Sequence, residues 1–115
     1  MKPVSVHVVD VANGVVARGM RVEVVHINGA SETMLAGTVG KNGLVEDLQR
    51  PDLFPVGQYE LRLYVGEYYR GIGTKLPEPA FMDVQVFRFG IADTSQHYHL
   101  PVKMSPWGLS CFRGA

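Results

Sequence analysis

Four histidines, His7, His26, His97 and His99, are the first residues to question for chemistry. Imidazole is the side chain that changes charge near neutrality without perturbation. His97 and His99 stand two apart, so on a strand they share one face. His7 lies in the run VSVHVVD, where Ser5 and Val9 fall on its own side. Such a pair also suits zinc or copper, but no carboxylate or thiol stands at a spacing that completes a metal site. Taken singly, each histidine reads most simply as an exposed or hydrogen-bonded structural residue. Cys111 precedes Arg113 by two positions, and a cation can lower a thiol pKa; a buried inert cysteine is the plainer reading. No Gly-x-Ser-x-Gly elbow is present, and Gly71-Ile72-Gly73 neither follows a strand nor opens a long helix, as a phosphate loop must. Tyr68-Tyr69, Phe81, Phe87 and Phe89 read as packing.

The elements that must position these groups are strands. Val4 to Val11 alternates, with Val4, Val6 and Val8 on one face and Ser5, His7 and Val9 on the other. Further strands are expected over Arg21 to Ile27, Thr33 to Val39, Leu44 to Leu48 (short), Gln58 to Val65, Phe81 to Ile91, His97 to Lys103 and Trp107 to Phe112. Asn13-Gly14, Asn28-Gly29 and Asn42-Gly43 mark turns, because both residue types tolerate positive φ. Gly66 to Ile72 has weak propensity for one or two helical turns, and Pro77 and Pro79 keep the next stretch a loop. Seven or eight short strands with regular turn signals predict an all-β sandwich of two sheets with one short helix.

The chain has 115 residues, enough for a single domain over 1–115. Eleven Lys and Arg balance eleven Asp and Glu, so there is no general basic footprint for nucleic acid or anionic membrane. One cysteine excludes an intrachain disulfide. No apolar run is long enough for a transmembrane helix, and the first residues lack a secretory signal pattern, so a cytoplasmic location is the expectation.

The last third is more specific. His97-Tyr98-His99-Leu100-Pro101, then Ser105-Pro106-Trp107-Gly108, then Phe112-Arg113-Gly114-Ala115 resembles the ending HYHVPLLLSPYGYSTYRGS typical of enzymatic members of the transthyretin-related family. Ser5-Val6-His7-Val8-Val9-Asp10 resembles that family's first-strand motif, and Gly57 to Leu61 with Gly66 to Tyr69 resembles its central strand and single helix. The resemblance spans essentially the whole chain. It implies a transthyretin-like sandwich assembled as a homotetramer, with active sites between dimers. It implies hydrolysis of 5-hydroxyisourate, a product of urate oxidation in purine degradation, by water attack on a ring carbonyl without metal or organic cofactor. By the same resemblance His7 and His99 are the catalytic histidines and Arg113 the substrate-binding arginine of the tail.

Three positions depart from the pattern. Leu44 stands where those hydrolases carry an arginine after the turn glycine, and Phe112 and Ala115 replace a tyrosine and a serine. Loss of a charged donor at such a site costs about 3 kcal/mol in the transition state. Arg50 is a nearby candidate to replace that cation; a solvated loop residue before Pro51 is its plainer reading. Alternatives therefore stay open: a paralogue acting on another cyclic amide or imide, or a non-enzymatic binder of small ligands.

Overall fold

The computed structural model describes residues 3–28, 30–48 and 54–115. Among these residues eight strands form two four-stranded sheets. In the first, β2 (Val15–Val16), β1 (Val4–Asp10), β7 (Tyr98–Ser105) and β8 (Gly108–Cys111) lie in that order. In the second, the order is β4 (Ala30–Thr38), β3 (Arg21–Asn28), β5 (Gly57–Tyr64) and β6 (Val84–Ile91). A helix, α1 (Val65–Gly71), follows β5 without a break.

The alternation read in the sequence sets which faces meet. Val4, Val6 and Val8 of β1 and Leu100, Val102 and Met104 of β7 are buried, in one core with Val22, Val24, Leu61 and Leu63 of the second sheet. The expected short strand over Leu44 to Leu48 is not one. Leu44 and Val45 make single bridges to His7 and Val39, and Glu46–Leu48 then winds into a 3₁₀ turn. Phe81 lies outside β6, which begins at Val84.

The helix is fastened from below. Asp10, fully buried, accepts hydrogen bonds from Tyr69 (2.6 Å), Tyr68 (3.0 Å) and the Asn13 side chain (2.8 Å). Burial alone would raise the carboxyl pKa; the Tyr69, Asn13 and Tyr68 hydrogen bonds outweigh it and hold it below the ordinary value. The tyrosines respond in the opposite sense, Tyr68 being pushed up to about 12 by burial and by Asp10.

Strands β1 and β7 pair in parallel, with Ser5 opposite His99 and His7 opposite Pro101. This pairing brings the two ends of the chain together on one sheet.

Candidate active site

Because β1 and β7 both bury every second residue, the remaining ones point outward together. Ser5 and His7 on β1, and His99 and Pro101 on β7, are half-buried on this outer face. The turn of residues 40–44 closes one flank. Val8 N–H donates to Gly43 O and Val45 N–H to Val6 O, which lays the turn along β1 and bridges Leu44 to His7. The His7 Nε2 lies 3.1 Å from the Asn42 carbonyl oxygen. A carbonyl only accepts, so Nε2 carries the hydrogen and Nδ1 keeps the lone pair of neutral His7. Gly43 makes this approach possible. Its φ is +86°, and a Cβ there would stand 2.5 Å from His7 Nε2.

On the other side, the Ser5 hydroxyl lies between two imidazoles, 2.6 Å from His99 Nδ1 and 2.9 Å from His97 Nε2. A hydroxyl has one hydrogen, so it donates to one ring and accepts from the other. If His99 Nδ1–H donates to Ser5 and Ser5 donates to His97, then His99 Nε2 is a bare lone pair. The reverse arrangement protonates Nε2. The two states interconvert when a proton enters at His99 Nε2, the hydrogens shift along the row, and one leaves the far nitrogen of His97. The pKa of His99 is lowered, first by burial and then by charge on His97 and His7. The shift favours the neutral ring, which is the form that can act as a base.

The C-terminal tail is tied to the same strand. Gly114 N–H donates to His99 O at 2.7 Å. The Arg113 guanidinium lies 4.0 Å from the centre of the Tyr98 ring, and its Nη2 donates to Gln96 Oε1 (3.0 Å) and to the His97 carbonyl (3.2 Å). Tyr98 is on the buried face of β7, so Arg113 lies beside that residue and not over the histidines. Strands β7 and β8 pair antiparallel, Val102 with Cys111, and the His99–Gly114 bridge keeps that register; Phe112 therefore comes level with Pro101 and is exposed, as is Ala115.

Of the residues singled out in the sequence, His7, His99 and Leu44 thus come together on one face, with Phe112 at its margin. Arg113 and Ala115 belong to the tail that borders it. Arg50 lies outside the described residues. Cys111 is half-buried against the core, and burial pushes its thiol up to about 11, away from reactivity. Among the described residues no three His, Cys, Asp or Glu side chains gather to hold a metal ion. Sequence reasoning passed over Ser5, Asn42 and the hydrogen bond that joins His97 to Ser5. The signal for Ser5 was its place two residues before His7, on the same face. Neither the parallel register nor the docked turn left a mark in the spacing.

Residues 4–114 match the model of the HIUase/Transthyretin family. The chain is 40% identical, over 96% of its length and 94% of the relative's, to 5-hydroxyisourate hydrolase 2 of Rhizobium meliloti. Among solved structures, (S)-allantoin synthase superposes with a TM-score of 0.89 at 32% identity, over 97% of this chain but 43% of that longer one. Transthyretin from Sparus aurata gives 0.88 at 20% identity over 99% of this chain and 97% of its own, a likeness of fold alone. With nearly all of its length matched, the chain belongs to the HIUase/transthyretin family.

Proposed function

We propose that this protein hydrolyses 5-hydroxyisourate, opening its ring by general-base attack of water. The observation that carries the proposal is the hydrogen-bonded row His99–Ser5–His97 beside His7 on one open sheet face. Water on the outer side of His99 gives its proton to Nε2 as its oxygen adds to a ring carbonyl. The imidazolium is stabilised through Nδ1–H donating to Ser5 Oγ, and the excess proton passes along Ser5 to exposed His97. Collapse of the tetrahedral intermediate breaks the ring C–N bond, and the proton returns to the leaving nitrogen. Water is consumed and no other reagent is needed. His7, its Nε2–H fixed by Asn42, offers Nδ1 to a ring N–H or to the water. Arg113 anchors the tail that walls this end of the cleft.

The face of a single chain is one wall only, and the reading includes a homotetramer in which a facing subunit supplies the other. Exposed Phe112 (49%) beside half-buried Pro101, with half-buried Leu44 at the opposite edge beyond His7, gives the face the apolar margin such packing requires. Light scattering behind size exclusion tests the assembly. The chemistry is tested by the decay of freshly generated 5-hydroxyisourate with wild type and His99→Ala. Wild type should accelerate decay and the variant should lose most of that acceleration; a wild-type rate equal to the uncatalysed one refutes the reading. Leu44 favours a second reading, a less polar cyclic amide or imide. Turnover of a hydantoin or lactam in preference to 5-hydroxyisourate would establish it.

A further inference from the structure

The proposed site has a base and a proton route, but among the described residues neither Leu44, which carries no charge, nor Arg113, which lies over Tyr98, aims a cation at it. The register of β1 and β7 supplies one. His7 sits opposite Pro101, so its two diagonal neighbours on β7 are His99 on one side and Lys103 on the other. All three point outward from the core. With strands ~4.8 Å apart and a rise of ~3.3 Å per residue, each diagonal is about 8 Å between Cα atoms. The four-methylene stem of lysine covers most of that gap. Lys103 is exposed, faces Val9 across one neighbouring strand and Ser110 across the other, and pairs with no described residue. No Asp or Glu occupies an outward position of β1, β7 or β8, so no carboxylate of these strands compensates its charge. Lys41, beside Leu44, differs: it shares a cavity of about 320 Å³ with Glu46 and Asp47. The ending typical of the related hydrolases, HYHVPLLLSP, carries leucine where Lys103 stands. A charge absent on the Leu44 flank of His7 is thus present on the opposite flank.

We propose that Lys103 is a substrate-binding residue of this site, its ammonium holding an oxygen of the flat, anionic heterocycle that lies across His7. The proposal rests on the hydrolase reading above and adds the group that replaces the missing arginine. It is tested with wild type, Lys103→Met, Lys103→Arg and Lys41→Met, each matched for melting temperature and oligomeric size. Two readouts are taken: KM and kcat for 5-hydroxyisourate, and calorimetric binding of urate as a stable flat anion. Lys103→Met should raise KM and the urate Kd by about ten-fold or more, the loss of one charge-assisted bond. Lys103→Arg should stay within about three-fold of wild type and Lys41→Met should be unchanged. Wild-type values in Lys103→Met for both readouts overturn the proposal, as does a loss that appears in Lys41→Met instead. If wild type does not turn over 5-hydroxyisourate, the hydrolase reading fails by itself. Urate binding then decides on Lys103 alone: loss in Lys103→Met upholds its role, and binding that is retained, or absent from wild type, refutes it.

Discussion

Removing the hydroxyl of Ser5 isolates the step on which the proposed chemistry turns. In the resting site Ser5 Oγ lies 2.6 Å from His99 Nδ1, as one hydrogen bond between neutral groups. As His99 takes the proton of water, the same contact becomes an imidazolium N–H donating to oxygen. A bond to a charged group is worth about 1.5–3 kcal/mol, against about 1 kcal/mol for a neutral one. Ser5→Ala loses this stronger, charge-assisted bond in the transition state and also frees His99 to hold the wrong tautomer. The neutral bond is lost from the ground state as well, so kcat feels only the difference of about 0.5–2 kcal/mol; at 1.36 kcal/mol per factor of ten this is a fall of about 2- to 30-fold, to which the wrong tautomer adds. Because the interaction strengthens only in the transition state, kcat and kcat/KM should fall together while KM stays near wild type. Ser5→Thr keeps the hydroxyl on a strand position that tolerates β-branching, and should retain most of the rate. The assay is stopped-flow absorbance on freshly generated 5-hydroxyisourate, with melting temperatures as the control for folding. A Ser5→Ala enzyme within two-fold of wild type (a change of ~0.4 kcal/mol) would refute the relay. So would a folded Ser5→Thr enzyme as slow as Ser5→Ala.

Three other outcomes follow from the same geometry. Charge on His97 helps to lower the pKa of His99, so His97→Gln should raise it toward its ordinary 6.5; a base must be unprotonated, so the acid limb of the kcat profile should move to higher pH. An unmoved limb would show that the two rings are not coupled. Gly43→Ala forces a Cβ to 2.5 Å from His7 Nε2 at a φ of +86° and should cost about 1–3 kcal/mol of stability in urea melts, together with activity; a neutral result would mean that the turn does not set His7. Asp10→Asn replaces one acceptor oxygen by a donor facing other donors and should destabilise by about 2–3 kcal/mol at pH 7. The folded pKa of Asp10 is depressed, so its contribution is present above the unfolded value near ~3.9 and fades as pH falls through the folded one. Asparagine does not titrate, so the gap between variant and wild type should narrow on acidification; a constant gap would contradict the assignment.

What could be read from the sequence was governed by period. Alternation in Val4 to Val11 and in Gln58 to Val65 is strong, so those strands and their inner faces were legible, and with them the outward direction of His7. Val15–Val16 has two residues, too short to show any period. Leu44 to Leu48 looked like a strand because its apolar residues invite pairing, but each partner is met at a single residue before the chain turns. The helix is the reverse case. Its propensity is poor, with two glycines and two tyrosines in seven residues, yet it forms because Asp10, more than fifty positions earlier, binds both tyrosine hydroxyls. A tertiary contact overrode a local preference there, and no local rule contains it.

The site was legible only in part for a related reason. Ser5 and His99 are separated by 94 positions, and nothing in either segment states that they pair in parallel with zero offset. A shift of one residue would turn every side chain of β1 to the opposite face and send His7 into the core. What prevents it is the inner face: Val4, Val6, Val8 and Asp10 are all buried and each is fitted to a neighbour, Asp10 to two tyrosines. The residues that hold this register are thus the inward partners of the residues proposed to do the chemistry, alternating with them one by one. Each inner strand position, packed into the core, fixes an outer one. That coupling predicts that Asp10→Asn, although buried and remote from any ligand, lowers activity before it unfolds the chain, by loosening the alignment of His7 with His99. Activity that stays at the wild-type level until the melting transition begins would show that the valines alone are enough to hold it.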